Sequence, residues 1–285
     1  MGSEMCIRDR ITPTLFIVVA WVAFVCEYMD ASIGMGYGTT LTPLLLIIGF
    51  LPLQVVPAVL VGQLVGGVVG GVFHHKFGNI NLDFRQDEAV KKRLRGLGYI
   101  PKSFDSKVIL ILAICGIIGA LVAVFVAVNI PKVFLETYIG IMVLVIGITL
   151  FVRKNHSGKF SWKTFILVGL VSSFNKGISG GGYGPLVTGG QIISGREVKS
   201  AVGSTTVAEV FCCAVAFLAY ILVKKGDIYW TLAASTSIGS ILAAPFAALT
   251  VKKTKTKKLK LLIGTVIILL GILTLVKIIF INKNF

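Results

Sequence analysis

The chain has 285 residues, of which 55% are hydrophobic and 14% are charged, and its mean hydropathy is +0.91. A water-soluble domain carries about 25% charged residues, so the composition excludes that class and predicts an all-α polytopic membrane protein. The net charge of +16 is typical of basic loops on the cytoplasmic side of a membrane, and it does not predict nucleic-acid binding.

Apolar segments follow one another along the chain after residues 1–10, a polar stretch that we expect to be a non-native, tag-like segment. Most are near the length of about 20 residues that spans a bilayer, which predicts eight to ten membrane segments. Two of them, 39–51 and 185–194, are half-length, and each follows a glycine-rich break. The apolar segments are 11–29, 39–51, 54–74, 108–129, 133–152, 162–175, 185–194, 199–223, 228–250 and 258–281.

The two breaks belong to an internal repeat, because "GMGYG" at 34–38 aligns with "GGGYG" at 180–184. The chain then divides into a first repeat, 11–152, with a cytoplasmic linker at 75–107, a loop at 153–161, and a second repeat, 162–285. Five segments in each repeat would invert the second copy in the membrane. With the N-terminus outside, the inside loops hold 20 basic residues and the outside loops hold 6, as the positive-inside rule requires.

A break inside the bilayer leaves backbone polar groups unpaired, so it is tolerated only where protein or a water-filled cavity covers it. Paired breaks in inverted repeats mark the binding site of a secondary transporter. The half-length helix after each break presents the positive end of its dipole, which favours an anion. We therefore expect the substrate to contact Gly34, Gly36, Tyr37, Gly38, Gly180, Gly181, Gly182, Tyr183 and Gly184. The two tyrosines can offer their hydroxyl groups to the anion from opposite sides, or they can only pack the loops.

Charged and amide side chains near the breaks are further candidates, because such groups are costly at membrane depth. Lys176 can attract an anion, with Asn175 as a hydrogen-bond donor, or it can snorkel to the outer interface. Glu209, Asp30 and Glu27 are candidate proton carriers for coupling. Glu209 can instead bond to a neighbouring helix, and Asp30 can cap the first break by accepting backbone N–H bonds.

No metal site or cofactor is expected. His74 and His75 are expected at the surface of a helix end rather than as metal ligands. The cysteines inside apolar segments are expected to be free, packed thiols: Cys26, Cys115, Cys212 and Cys213.

The two breaks and their flanks resemble the signature blocks of the TauE/SafE sulfite exporter family, also called the TSUP family. The stretches are "DASIGMGYGTTLTPLLL" at 30–46 and "SGGGYGPLVTGGQIISGREVKSAVGSTT" at 179–206. The family pattern is an Asp before a glycine cluster, a Pro-Leu helix, and a later hydroxyl-rich patch, matched here by Asp30, 34–38, Pro43 and 203–205. The resemblance implies that Ser204 and Thr205 contact the substrate, with Gln63 as the polar group at the matching place in the first repeat.

The resemblance also implies the function: gradient-driven transport, often export, of sulfite, organosulfonates or related small oxyanions across the cytoplasmic (inner) membrane. The expected partners are that anion and the lipid bilayer, and a homodimer is compatible with the sequence. The chain has no P-loop for ATP.

Two alternatives stay open. The same glycine loops can line an anion channel. The "GISG" motif at 177–180 matches the Gly-x-Ser-Gly of intramembrane serine proteases, with Ser179 as nucleophile. That chemistry needs a general base, and each histidine lies upstream of the motif near a loop, so we do not expect an enzyme.

Overall fold

The computed structural model describes residues 11–50, 52–83, 101–126, 161–223 and 228–259, with isolated helical positions at 141, 148 and between 261 and 272. Within these ranges the chain forms helices and no strand. The segment 1–10, most of the linker 75–107, the apolar segment 133–152, nearly all of the loop 153–161 and most of 258–281 lie outside the described residues. The same holds for the side chains of Pro43 and Ser179.

The described helices are α1 Pro13–Ile33, α2 Tyr37–Ile48, α3 Pro52–Lys76, α4 Phe104–Val126, α5 Trp162–Ser179, α6 Tyr183–Ile193, α7 Val198–Val223 and α8 Trp230–Lys253. Five of them, α1, α3, α4, α7 and α8, are long and apolar enough to cross a membrane. α2 and α6 have only 12 and 11 residues. Both half-length helices begin two residues earlier than the apolar pattern predicts, so that each one starts at the tyrosine of its break.

The helices pack in a reciprocal pattern. α8 packs against α1 and α3, while α4 packs against α5 and α7, and α3 packs against α7 between the two groups. Exchanging α1–α4 for α5–α8 leaves this set of pairs unchanged, which is the form of contact that a two-fold axis produces. The fourth helix of each set therefore covers the first and third helices of the other set.

Large apolar side chains point outward along the spanning helices. Trp21 of α1, Leu222 of α7 and Phe246 of α8 are 65%, 79% and 59% exposed, an arrangement that suits lipid rather than water. Small residues bring helices together inside: a Cβ added to Gly239 of α8 would lie 2.2 Å from the carbonyl oxygen of Ala20 in α1. The described fold is that of a multi-pass membrane protein.

The expectation that His74 lies at the surface is wrong, whereas His75 is exposed as expected. His74 is fully buried, and its Nδ1 accepts a hydrogen bond of 3.1 Å from Asn79 Nδ2. Its Nε2–H therefore donates to the carbonyl oxygen of Ala31, at 2.9 Å. Asn79 also donates to the carbonyl oxygen of Ala248, so this pair ties the end of α3 to α1 and α8.

The cysteine prediction is confirmed for the described residues. All four thiols are free and buried: Cys26, Cys115, Cys212 and Cys213.

Candidate functional site

The two breaks have the same backbone geometry. Gly34 ends α1 with φ of 82°, and its N–H donates to the carbonyl oxygen of Asp30 at 2.6 Å. Gly180 ends α5 with φ of 72°, and its N–H donates to the carbonyl oxygen of Lys176 at 2.9 Å. This left-handed conformation is the usual helix stop, and glycine adopts it without the cost that a Cβ brings. Asp30 and Lys176 thus occupy the same position relative to their breaks.

The breaks pack directly against each other through their backbones. A Cβ added to Gly38 would lie 1.7 Å from the carbonyl oxygen of Gly180. A Cβ added to Gly184 would lie 2.3 Å from the carbonyl oxygen of Gly34. The two contacts are counterparts of each other in the repeat, and neither leaves room for a side chain.

A buried polar network crosses the bundle beside the breaks. Lys176 Nζ of α5 lies 2.9 Å from Glu209 Oε1 of α7 and also donates to Gln63 Oε1 of α3. Gln63 Nε2 donates to Asp30 Oδ2 of α1 at 3.0 Å. The other Asp30 oxygen, Oδ1, accepts the Tyr37 N–H at 3.1 Å. The four side chains of the network are at most 4% exposed and come from four helices, so they form one buried cluster.

This geometry bears on three residues for which the sequence left alternatives open. Lys176 is buried, so of its two alternatives the one in which it snorkels to the outer interface is wrong. Asp30 caps the first break by accepting the N–H of Tyr37, which confirms the capping prediction. Glu209 bonds to a neighbouring helix through its ion pair with Lys176.

Glu27 lies near the network, one turn before Asp30 on α1. It is fully buried, and neither carboxylate oxygen has a hydrogen-bond partner among the described residues. A Cβ added to Gly66 of α3 would lie 2.9 Å from Glu27 Oε1, so the carboxyl group fills the space that this glycine leaves.

The matching tyrosines of the two breaks are both fully buried but differ in their bonding. The Tyr37 hydroxyl accepts a hydrogen bond of 2.9 Å from Ser240 Oγ and lies 3.5 Å from the carbonyl oxygen of Thr236. The Tyr183 hydroxyl has no hydrogen-bond partner among the described residues. Its electrostatic neighbours include Glu209.

The half-length helices also differ at their N-termini. α2 receives the carboxylate of Asp30 at the Tyr37 N–H. α6 has Gly182 as its N-cap, a residue without a side chain that could cap the helix. Asn175, next to Lys176 in α5, is fully buried as well.

The predicted hydroxyl patch is connected to the first break. Thr188 Oγ1 of α6 lies 2.9 Å from the carbonyl oxygen of Gly34 and 3.0 Å from Thr205 Oγ1 of α7. Gln191 Nε2 donates to Thr205 Oγ1 at 2.9 Å, and Ser204 Oγ donates to Gln191 Oε1 at 2.9 Å. The patch on α7 is therefore hydrogen-bonded to α6, one helical turn before Glu209.

The chain of polar contacts ends at a cavity that sequence reasoning missed. Arg196 donates to Gln191 Oε1, to Ser204 Oγ and to Asp105 at the start of α4. The cavity beside them has a volume of about 380 Å³ and is lined by Phe104, Asp105, Ser194, Gly195, Arg196, Glu197 and Ser200. Burial lowers the pKa of Arg196 from its ordinary value, while Asp105 opposes this shift. Thr188 and Gln191 could have indicated these polar contacts from the sequence, because polar residues stand out in a short apolar helix.

Spanning helices, two half-length helices that meet backbone to backbone, and a buried charged network place this protein in the class of multi-pass membrane transporters. The chain belongs to the TauE/SafE sulfite exporter family: the family model "Sulfite exporter TauE/SafE" matches residues 95–274. It is similar to "Probable membrane transporter protein YtnM" of Bacillus subtilis (strain 168), with 29% identity over 275 residues, which cover 91% of this chain and 82% of the relative. No solved structure matches the chain.

These comparisons confirm the resemblance seen in the sequence. The family match includes the whole second break and begins after the first one. The similarity to the Bacillus subtilis protein extends over most of the chain.

Proposed function

We propose that this protein is a secondary transporter that moves small oxyanions, such as sulfite or organosulfonates, across the cytoplasmic membrane by alternating access. The observation that carries the proposal is the charge difference between the two breaks. The first break holds its own carboxylate, Asp30, at the N-terminus of α2. The second break has Lys176 at the matching position and Gly182, which has no side chain, as the N-cap of α6.

An oxyanion suits the groups that the second break offers. Lys176 supplies a positive charge, and the first turn of α6 supplies backbone N–H groups and the positive end of a helix dipole. The Tyr183 hydroxyl can donate to one of the anion's oxygens, since it has no partner among the described residues. Asn175, Ser204 and Thr205 are proposed to line the path of the anion.

Alternating access is supported by the form of the helix pairing. The exchange of α1–α4 for α5–α8 leaves the main helix pairs unchanged, which supports two repeats related by a two-fold axis. Rocking of one repeat against the other would open the site between the breaks to each side in turn. The burial of the network, with exposures of at most 4%, favours this mode over a permanently open channel.

The proposal includes coupling to an ion gradient. Glu209, Asp30 and Glu27 are carboxyls at membrane depth, where ionisable groups are usually functional. The family description names sulfite export, so we propose export as the physiological direction.

Flux into proteoliposomes tests the proposal. Vesicles containing the purified protein are given sulfite, methanesulfonate, sulfate or acetate, with and without a pH gradient. We expect at least one sulfur oxyanion to enter faster than in protein-free vesicles, and Gly182→Leu to abolish this flux while still inserting in the membrane. Absence of flux for all four anions, or normal flux in Gly182→Leu, would contradict the site or the function.

The serine protease alternative makes the opposite prediction for Ser179. Ser179→Ala should transport normally if the protein is a transporter. A folded Ser179→Ala variant without activity would instead support a nucleophile at this position.

A further inference from the structure

The three candidate proton carriers differ in what they contact. Glu209 Oε1 lies 2.9 Å from Lys176 Nζ. Asp30 is occupied by a backbone N–H of α2 and by Gln63, whose amide separates it from the ammonium group. Glu27 accepts no hydrogen bond from the described residues. Glu209 is therefore the carboxylate that directly neutralises Lys176.

An oxyanion that binds Lys176 has to take the place of Glu209. The two side chains are 1% and 4% exposed, and an unpaired charge at such a depth is very costly. If Glu209 stayed ionised beside the bound anion, one ammonium would face two negative charges, with Asp30 and Glu27 close by. A proton on Glu209 removes this excess, because the anion then replaces the carboxylate as the partner of Lys176.

Among the described residues, no second cation near Glu209 could balance the additional negative charge of the bound anion. The titratable groups around Glu209 come from the helices packed on α7 and from α7 itself. They are Asp30 and Glu27 of α1, Lys176 of α5, Tyr183 of α6, and Cys212 and Cys213 of α7, with the uncharged Gln63 of α3 beside Lys176. Lys176 is the cation in this set, so the anion and Glu209 compete for one charge.

We propose that protonation of Glu209 and binding of the oxyanion to Lys176 occur together, so that one proton crosses the membrane with each monovalent anion. The inference rests on the proposed function. On the entry side, a proton from water binds the Glu209 carboxylate, its ion pair with Lys176 breaks, and the ammonium pairs with the anion. On the exit side the anion leaves, the proton returns to water and the ion pair forms again. The empty and the loaded site carry the same charge, so transport is electroneutral and can run in either direction. The anion is exported when it is more concentrated inside the cell, whereas an acidic exterior drives its accumulation.

The experiment uses the full chain in proteoliposomes with methanesulfonate, a strong-acid anion that carries no proton of its own near neutral pH. A pH dye inside the vesicles reports proton entry, and potassium with valinomycin sets the membrane potential. We expect entry of methanesulfonate to acidify the lumen by one proton per anion. A gradient of one pH unit should drive about tenfold accumulation, and a potential of 60 mV should change accumulation little, whereas an uncoupled anion would respond about tenfold.

The Glu209→Gln variant tests whether Glu209 carries the proton that is coupled to the anion. Glutamine resembles the protonated carboxyl, so the variant should still exchange external for internal methanesulfonate while losing accumulation driven by the pH gradient. Asp83→Asn, the same change of a carboxyl to an amide at a half-buried position beyond the end of α3, is the control and should keep that accumulation.

The outcomes separate the inference from the proposed function. If methanesulfonate enters without acidifying the lumen, or follows the membrane potential tenfold per 60 mV, transport stands and proton coupling is overturned. If Glu209→Gln keeps accumulation driven by pH, the assignment to Glu209 is overturned. If neither methanesulfonate nor any anion of the panel moves, the proposed function itself is wrong. Coupling is measured first in the unaltered protein, so the proposal can be overturned even if a variant fails to fold.

Discussion

The first and second breaks have the same backbone course and opposite charges. In both, a glycine with positive φ stops a helix and a half-length helix starts at a tyrosine three residues later. Four residues before that glycine, the first break has Asp30 and the second has Lys176. Asp30 caps its own half-length helix, whereas Lys176 turns to Glu209 of α7. A repeat can therefore preserve a backbone and give its two copies different contacts: the charged residue of the first break caps its own helix, and that of the second break pairs with α7 and, in the proposed function, binds the anion.

Gly184→Ala should give the largest effect, because it breaks the contact that the two breaks share. The new Cβ would lie 2.3 Å from the carbonyl oxygen of Gly34, and backbone atoms on both sides leave no room to relax. We expect complete loss of transport and a large loss of thermal stability, measured by flux and by thermal unfolding in detergent. Gly190→Ala, on the same helix, meets Val168 Cγ1 at an ordinary 3.4 Å and is the control. A stable, active Gly184→Ala would show that the breaks do not have to touch.

Lys176→Gln should be the next most severe change, because it leaves Glu209 buried without its cation. Removing one partner of a buried ion pair costs about 3–5 kcal/mol of unfolding free energy. Adding Glu209→Gln to Lys176→Gln should recover most of that stability, since no lone charge remains. Transport should stay lost in both variants because the cation that attracts the anion is gone. The measurement is a double-mutant cycle by thermal unfolding, and additive losses would contradict direct pairing.

Gly182→Asp would give the second break what the first already has, a carboxylate at the N-terminus of its half-length helix. Gly182 has φ of 82°, a conformation that Asp and Asn tolerate better than other residues. Gly182→Asn is therefore the matched control, with similar shape and strain but no charge. We expect methanesulfonate to bind at least roughly tenfold more weakly to the Asp variant than to the Asn variant, a difference of about 1.4 kcal/mol. Equal affinities would show that the N-terminus of α6 does not face the substrate.

The sequence predicts the breaks and the half-length helices well, because glycine clusters and the lengths of apolar runs are local features. Capping by Asp30 can also be predicted from the sequence, since the capping carboxylate and the capped N–H lie only seven residues apart. The pairing of Lys176 cannot be predicted, because Gln63 and Glu209 come from helices that are distant in the chain. In addition, the rotation of α5 decides whether Lys176 points to lipid or inward.

His74 illustrates the same limit. A histidine at the end of a helix and beside a polar linker is typical of a surface. Its burial follows from Asn79, which satisfies the ring at one nitrogen, and from the carbonyl group of Ala31 in α1, which satisfies the other. Such partners are visible only once the helices are packed together.

The two tyrosines give the smallest and most discriminating comparison. Tyr37→Phe removes the hydroxyl that accepts a hydrogen bond from Ser240, and we expect it to lower stability by about 1 kcal/mol with little effect on the apparent KM. Tyr183→Phe removes a hydroxyl without a partner among the described residues, so stability should hold or rise while the KM for methanesulfonate increases several-fold. Thermal unfolding and flux kinetics on both variants test this. If Tyr183→Phe changes stability but not KM, the hydroxyl does not serve the substrate, and the two breaks differ only in their charges.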